Sequence, residues 1–76
     1  MVSPHDPRYQ HLITRLKKAR KDAQLSQEEV AEHLGIHQPL VSRIERGERK
    51  IDPIELQILC ELYERPATYF VKGLPV

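Results

Sequence analysis

The sequence predicts an all-α fold of five helices, and three observations lead to that prediction. Apolar residues recur at helical spacing through most of the chain, and no segment shows the apolar–polar alternation of a half-buried strand. The three glycines fall where helices are expected to end. Prolines stand where helices are expected to begin, in the pairs Asp6-Pro7, Gln38-Pro39, Asp52-Pro53 and Arg65-Pro66.

The composition fits one small domain. With 76 residues, of which 39% are hydrophobic and 30% charged, the chain is near the size at which one core is only marginally stabilising. We expect a single domain over residues 1–76, with a core at about residues 7–71 between a short N-terminal arm and a C-terminal tail. No apolar run approaches the length of a membrane span, and the N-terminus lacks a signal-peptide layout, so we expect a cytoplasmic protein.

The net charge of +1 conceals an uneven distribution. Residues 1–25 hold six Lys/Arg against two Asp, whereas residues 26–50 are net −1 and residues 51–76 net −2. A basic N-terminal region on a nearly neutral domain suits contact with a polyanion, and a solvated helix face is the alternative interpretation.

The first two helices have clear start signals. Asp6 precedes Pro7 as an N-cap, and Ser26 with Glu29 fits a capping box for the second helix. The apolar positions of the first helix are Tyr9, Leu12, Ile13, Leu16 and Ala19, and those of the second are Val30, Ala31 and Leu34. Gly35 permits the left-handed turn that ends the second helix.

The third helix is predicted from Pro39 to about Arg46, with Gln38 as the non-helical residue before it, because a residue preceding proline is pushed out of the α region. It buries Val41 and Ile44 and stops at Gly47. Asp52-Pro53 begins a fourth helix through Leu56, Leu59, Cys60 and Tyr63. Arg65-Pro66 begins a last short turn or helix through Phe70, ended by Gly73 and Pro75.

Two short helices joined across residues 35–37 form a helix-turn-helix unit. The segment LSQEEVAEHLGIHQPLVSRIERGER, residues 25–49, strongly resembles the helix-turn-helix family of phage lambda repressor, Cro and their Xre-type relatives. The likeness extends over most of residues 9–70. It implies a compact, lambda-repressor-like five-helix domain that acts as a sequence-specific, double-stranded DNA-binding transcriptional regulator, with helix 39–46 in the major groove.

The resemblance also implies roles for individual residues. Gln27 would contact a phosphate and brace the third helix, and Gln38 would contact a base edge. Gln can bond bidentately to adenine and Arg to guanine. Ser42 and Arg43 match positions that look into the major groove, and the residues that match backbone-contacting positions are Arg46, Arg49 and Lys50.

The sequence departs from the family pattern at the start of the third helix. Family members usually carry Ser or Thr where His37 stands, and often a small or polar residue at Pro39 and Leu40. We therefore expect the helix to start one residue late and Gln38 to reach DNA from its cap position. Leu40 would meet a thymine methyl, and His37 would contact a phosphate.

Two further features follow from the resemblance. Arg20 and Glu45 match a structural ion pair that sets the angle between the first and third helices. Family members of this length commonly form homodimers through the last helix and tail, where we expect Tyr69, Val71 and Leu74 to form the interface and Phe70 to join the core.

Other functions are less well supported. His5, His11 and His33 form no i, i+3 or i, i+4 pair, and His33 and His37 lie on either side of a glycine turn. Ser42 lacks a glycine elbow and no phosphate-binding loop exists, so we expect neither an enzyme nor a metal or cofactor site. Cys60 matches a position usually held by alanine and is expected to pack as a small apolar side chain. We expect no membrane contact, and no small-molecule ligand is evident. The alternative function is an antitoxin-type interaction module that binds a toxin and regulates its own synthesis.

Overall fold

A computed structural model describes residues 5–72, and this range contains five helices and no strand. The helices are α1 (Pro7–Asp22), α2 (Gln27–Leu34), α3 (Gln38–Glu45), α4 (Pro53–Leu62) and α5 (Ala67–Val71). The all-α prediction and the predicted order of the helices are confirmed.

Three helices start as their sequences predict. Asp6 accepts a hydrogen bond from the backbone N–H of Arg8, while Ser26 and Asp52 each complete a capping box for α2 and α4. The side chain of Arg8 also donates to Asp6, and these hydrogen bonds lower the pKa of Asp6 to about 2. Pro7 and Pro53 occupy the first helical position, where a missing N–H costs nothing.

The prediction for the other two prolines was wrong by one position. Pro39 is the second residue of α3, because the helix already begins at Gln38, and Pro66 is the N-cap of α5 rather than its first residue. The first four N–H groups of a helix have no partner inside it, so proline is tolerated at either of the first two positions. A proline therefore marks the region in which a helix begins but does not determine which residue is the first of the helix.

The first four helices end in the same way, with one residue in the left-handed region. These residues are Gln24 (φ 60°), Gly35 (φ 69°), Gly47 (φ 76°) and Glu64 (φ 54°). After α3, for example, the N–H of Glu48 donates to the carbonyl of Arg43 at 2.8 Å and that of Gly47 to Ile44 at 3.0 Å, which is a Schellman motif. Two of the four ends therefore lack the glycine that makes this conformation easy.

The core lies where all five helices converge. Its buried members are Ile13, Leu16, Ala19, Val30, Ala31, Val41, Ile44, Leu59, Tyr63 and Phe70. Phe70 is fully buried, which confirms its predicted place in the core and shows why so short a helix as α5 is held. Because α2 and α3 each bury their apolar stripe in this core, their outer faces carry the polar residues of the candidate site.

Candidate nucleic-acid interface

The start of α3 differs from the sequence prediction in a way that matters for its polar face. His37 is the N-cap and makes no side-chain capping hydrogen bond, as expected of a poor cap. Gln38 is the first helical residue, so the expectation that it acts from a cap position outside the helix was wrong. The side chain of Gln38 consequently projects from a backbone that the helix holds in place.

A chain of hydrogen bonds connects both ends of α3 to the start of α2. Gln38 Nε2 donates to Gln27 Oε1 at 2.7 Å, and Gln27 Nε2 donates to Glu45 Oε1 at 3.1 Å. Gln27 is the first residue of α2, while Gln38 and Glu45 are the first and last residues of α3. Gln27 thus lies against the third helix, in the bracing position that the resemblance implies.

Arg20 and Glu45 form a bidentate ion pair between α1 and α3. Arg20 Nε donates to Glu45 Oε2 at 2.7 Å and Arg20 Nη2 donates to Oε1 at 3.1 Å. The two side chains are only 11% and 6% exposed. Arg20 Nη1 also donates to the carbonyl of Leu25 at 2.9 Å, which ties the α1–α2 turn to the same pair. The hydrogen bond to Glu45 is the largest cause of the raised pKa of Arg20.

The outward face of α3 presents one unpaired cation. Arg43 is exposed, and its guanidinium has no ion pair or hydrogen-bond partner among residues 5–72. Leu40 and Ser42 beside it are half-buried. Arg46 is exposed but folded back, since it donates to Glu48 at 3.0 Å and to Ser42 Oγ at 2.9 Å. An exposed pair of this kind has little net energy, so Arg46 is free to exchange Glu48 for another anion.

Arg49, in the loop between α3 and α4, is committed to an internal partner. Its Nη1 and Nη2 atoms donate to the two carboxylate oxygens of Glu55 at 3.0 and 2.9 Å. Glu55 is 9% exposed and also accepts from the N–H of Asp52 in the α4 capping box. The hydrogen bond from Arg49 is the largest cause of the lowered pKa of Glu55. Lys50, the next residue, is exposed.

The predicted dimer residues lie in different environments. Tyr69 is half-buried, with the guanidinium carbons of Arg15 and Arg65 at 4.9 and 5.4 Å from its ring centroid. It is therefore largely engaged within its own chain. Val71 is 46% exposed, and Leu74 lies outside the described residues.

Among the contacts that sequence reasoning missed are the Gln27–Glu45 hydrogen bond and the Arg49–Glu55 ion pair. The second had a partial signal, because Glu55 stands at the third position of a recognisable capping box. The first had none, since residues 18 positions apart are brought together only by the packing of α2 on α3.

Comparison with known proteins also identifies a helix-turn-helix unit in this chain. A family model described as helix-turn-helix matches residues 16–70, which is most of the chain. The search of curated proteins gives no match. Within residues 5–72 no group of His, Cys, Asp and Glu side chains is placed to hold a metal ion, and no helix there is long and apolar enough to cross a membrane.

Proposed function

Because the chain belongs to the lambda repressor-like, Xre-type helix-turn-helix family of DNA-binding regulators, we propose that it is a sequence-specific transcriptional regulator that inserts α3 into the major groove. The observation that carries this proposal is the polar face of α3. Gln38 stands in the first turn, Arg43 follows with an unpaired guanidinium, and the buried stripe of Val41 and Ile44 holds both in a fixed orientation.

The proposed base contacts come from the outer side of α3. Arg43 offers two donors in one plane, which match the N7 and O6 acceptors of guanine. Gln38 offers an amide oxygen and an N–H, which match the N6–H and N7 groups of adenine. Ser42 adds a hydroxyl to the same face, and Leu40 supplies an apolar contact for a thymine methyl.

The proposed phosphate contacts surround this face. Gln27 opens α2, where the first backbone N–H groups lack intrahelical partners and attract anions. His37 and Lys50 are exposed, and Arg46 can leave Glu48 for a phosphate. The resemblance implies a backbone contact for Arg49 as well, but its guanidinium is already paired with Glu55, so we assign it a weaker direct contribution.

We further propose that two copies of the chain act together on a near-palindromic operator. One short helix reads few bases, whereas a homodimer presents two reader helices roughly 34 Å apart on one side of the duplex. The exposed Val71 supports a place for the interface at the C-terminal end of the chain, where we propose that it is formed together with Tyr69 and Leu74. A cytoplasmic location would fit this function.

Selection of binding sites from a random DNA pool tests the proposal, since it yields the bound sequence, its symmetry and its half-site spacing together. The specificity of Gln38→Ala is then compared with that of the wild type on matched and single-mismatch operators. We expect discrimination at one base pair per half-site to fall by about tenfold or more. Gln57→Ala, on the exposed face of α4, is the matched control. Failure to enrich any sequence, or an unchanged specificity of Gln38→Ala, would count against the proposal.

A further inference from the structure

We propose that Ser42 reads its base as a hydrogen-bond donor, and that Arg46, one turn further along the chain, is the positioning residue that gives the hydroxyl this role. The base would then be one that presents an acceptor in the major groove, guanine or thymine, and not cytosine. This inference rests on the proposed function, because it names the class of base chosen by one residue of α3.

Arg46 determines how one side of the Ser42 hydroxyl is used. Arg46 Nη1 lies 2.9 Å from Ser42 Oγ, and a guanidinium nitrogen can only donate, so Oγ is the acceptor of this hydrogen bond. The two residues are four positions apart, which is the spacing that brings side chains together on one face of a helix. The hydroxyl hydrogen of Ser42 must therefore point away from Arg46.

That hydrogen has no acceptor among residues 5–72. A serine or threonine inside a helix can donate to the carbonyl four residues earlier. Thr14 in α1 does so, since its Oγ1 donates to the carbonyl of Gln10 at 2.9 Å. Because Ser42 makes no such bond, its hydrogen is left for an acceptor outside the chain, on the polar face of α3.

The charge of Arg46 favours the donor role of the hydroxyl. Hydrogen bonds in a chain polarise one another, and an ionised donor on Oγ makes the O–H group a stronger donor and the remaining lone pair a poorer acceptor. In the major groove guanine presents the acceptors N7 and O6, and thymine presents O4, whereas cytosine presents only an N–H donor. Ser42 is therefore matched to guanine or thymine and mismatched to cytosine.

Arg46 can hold Ser42 and a phosphate at the same time, because it uses different atoms for each. Its Nε and Nη2 atoms donate to the carboxylate of Glu48 at 3.0 and 3.3 Å, while Nη1 donates to Ser42. The side chains of Arg46 and Glu48 are 55% and 56% exposed, so a phosphate can replace Glu48 without breaking the contact to Ser42.

The test begins with selection of binding sites by the wild type and by Ser42→Ala, which identifies the base pair whose preference depends on Ser42. We expect the wild type to select guanine or thymine there and to bind that operator about fivefold or more tighter than the cytosine operator. Arg46→Met should lower this ratio toward parity. Lys50→Ala, an exposed cation in the following loop, is the matched control, since it should weaken both operators equally and keep the ratio.

A double-variant cycle shows whether Arg46 acts through Ser42. Arg46→Met should change the ratio when Ser42 is present but not in the Ser42→Ala background. The measurements are made at low salt, so that variants lacking a phosphate contact still bind, and circular dichroism verifies that each variant is folded.

The outcomes separate this inference from the proposed function. Selection of cytosine by the wild type, no loss of preference in Ser42→Ala, or an unchanged ratio in Arg46→Met would each overturn the inference alone. An effect of Arg46→Met that is as large in the Ser42→Ala background would do the same. Absence of sequence-specific binding by the wild type would overturn the proposed function, and the inference with it.

Discussion

Replacing Arg20 with methionine tests how much of the fold depends on the ion pair between α1 and α3. Methionine replaces the apolar stem of the side chain but removes all three hydrogen bonds of the guanidinium, two to Glu45 and one to the carbonyl of Leu25. Glu45 would remain, 6% exposed, with only Gln27 as a partner. Leaving one charge of a buried pair without its partner costs roughly 3–5 kcal/mol.

That cost is large for a chain of this size. Small domains have free energies of unfolding of about 5–15 kcal/mol, so the variant would lose a large part of its stability. In a domain of this size the Tm falls by roughly 4–8 °C for each kcal/mol lost from the free energy of unfolding. We therefore expect the Tm of Arg20→Met to fall by at least about 12 °C. Urea denaturation followed by circular dichroism, at one fixed protein concentration, gives the free energy directly.

Lys18→Met is the matched control, because Lys18 pairs with Asp22 at 3.0 Å on the same helix but with 63% and 41% of the two side chains exposed. An exposed pair contributes about 0–1 kcal/mol. Arg20→Met combined with Glu45→Met removes both charges and should recover most of the lost stability. If Arg20→Met lowers the free energy of unfolding no more than Lys18→Met does, the reasoning from burial is refuted.

Three other predictions concern the helix ends and the proposed DNA contacts. Gln24→Gly and Glu64→Gly should each stabilise the fold by about 1 kcal/mol, because both residues hold the left-handed conformation that glycine adopts without strain; urea denaturation measures the gain. The ion pair at the start of α1 lowers the pKa of Asp6 from 3.8 to about 2, so it stabilises the fold above pH 3.8 and this contribution is lost as the pH falls through about 2. Asp6→Asn keeps a capping group but not the charge, and its Tm deficit relative to the wild type should shrink over that pH range. Lys50→Ala should reduce the log–log salt slope of operator binding by about one, and Arg49→Ala by clearly less, because its guanidinium is already paired.

Each of these has a contrary outcome. Gln57→Gly, in the middle of an exposed helical face, should destabilise the fold by about 1 kcal/mol, and a similar loss in Gln24→Gly would contradict the stated strain. A Tm deficit in Asp6→Asn that stays constant from pH 5 to pH 2 would show that the charge of Asp6 plays no part. Equal salt slopes for Arg49→Ala and Lys50→Ala would show that Arg49 leaves Glu55 to meet phosphate.

Local features of the sequence determined most of the fold. Caps such as Ser26 and Asp52, and the glycines after α2 and α3, act within four or five residues, so they are visible without knowledge of the fold. The apolar spacing within each helix likewise identified the buried face, including Val41 and Ile44. The sequence predicts a start of α3 at Pro39, one residue later than the observed start at Gln38, because proline is tolerated at more than one position in the first turn.

Only the tertiary structure decided the contacts between side chains distant in the sequence. Gln27 meets Glu45 because α2 packs on α3, and Arg49 is turned inward because Glu55 lies within reach of its guanidinium. Sequence patterns show which face of a helix is buried but not which partner a long polar side chain finds, since that depends on crossing angles and loop paths set by the whole core. The third helix and its polar face were therefore evident from the sequence, whereas the network that connects its first glutamine to α2 was not.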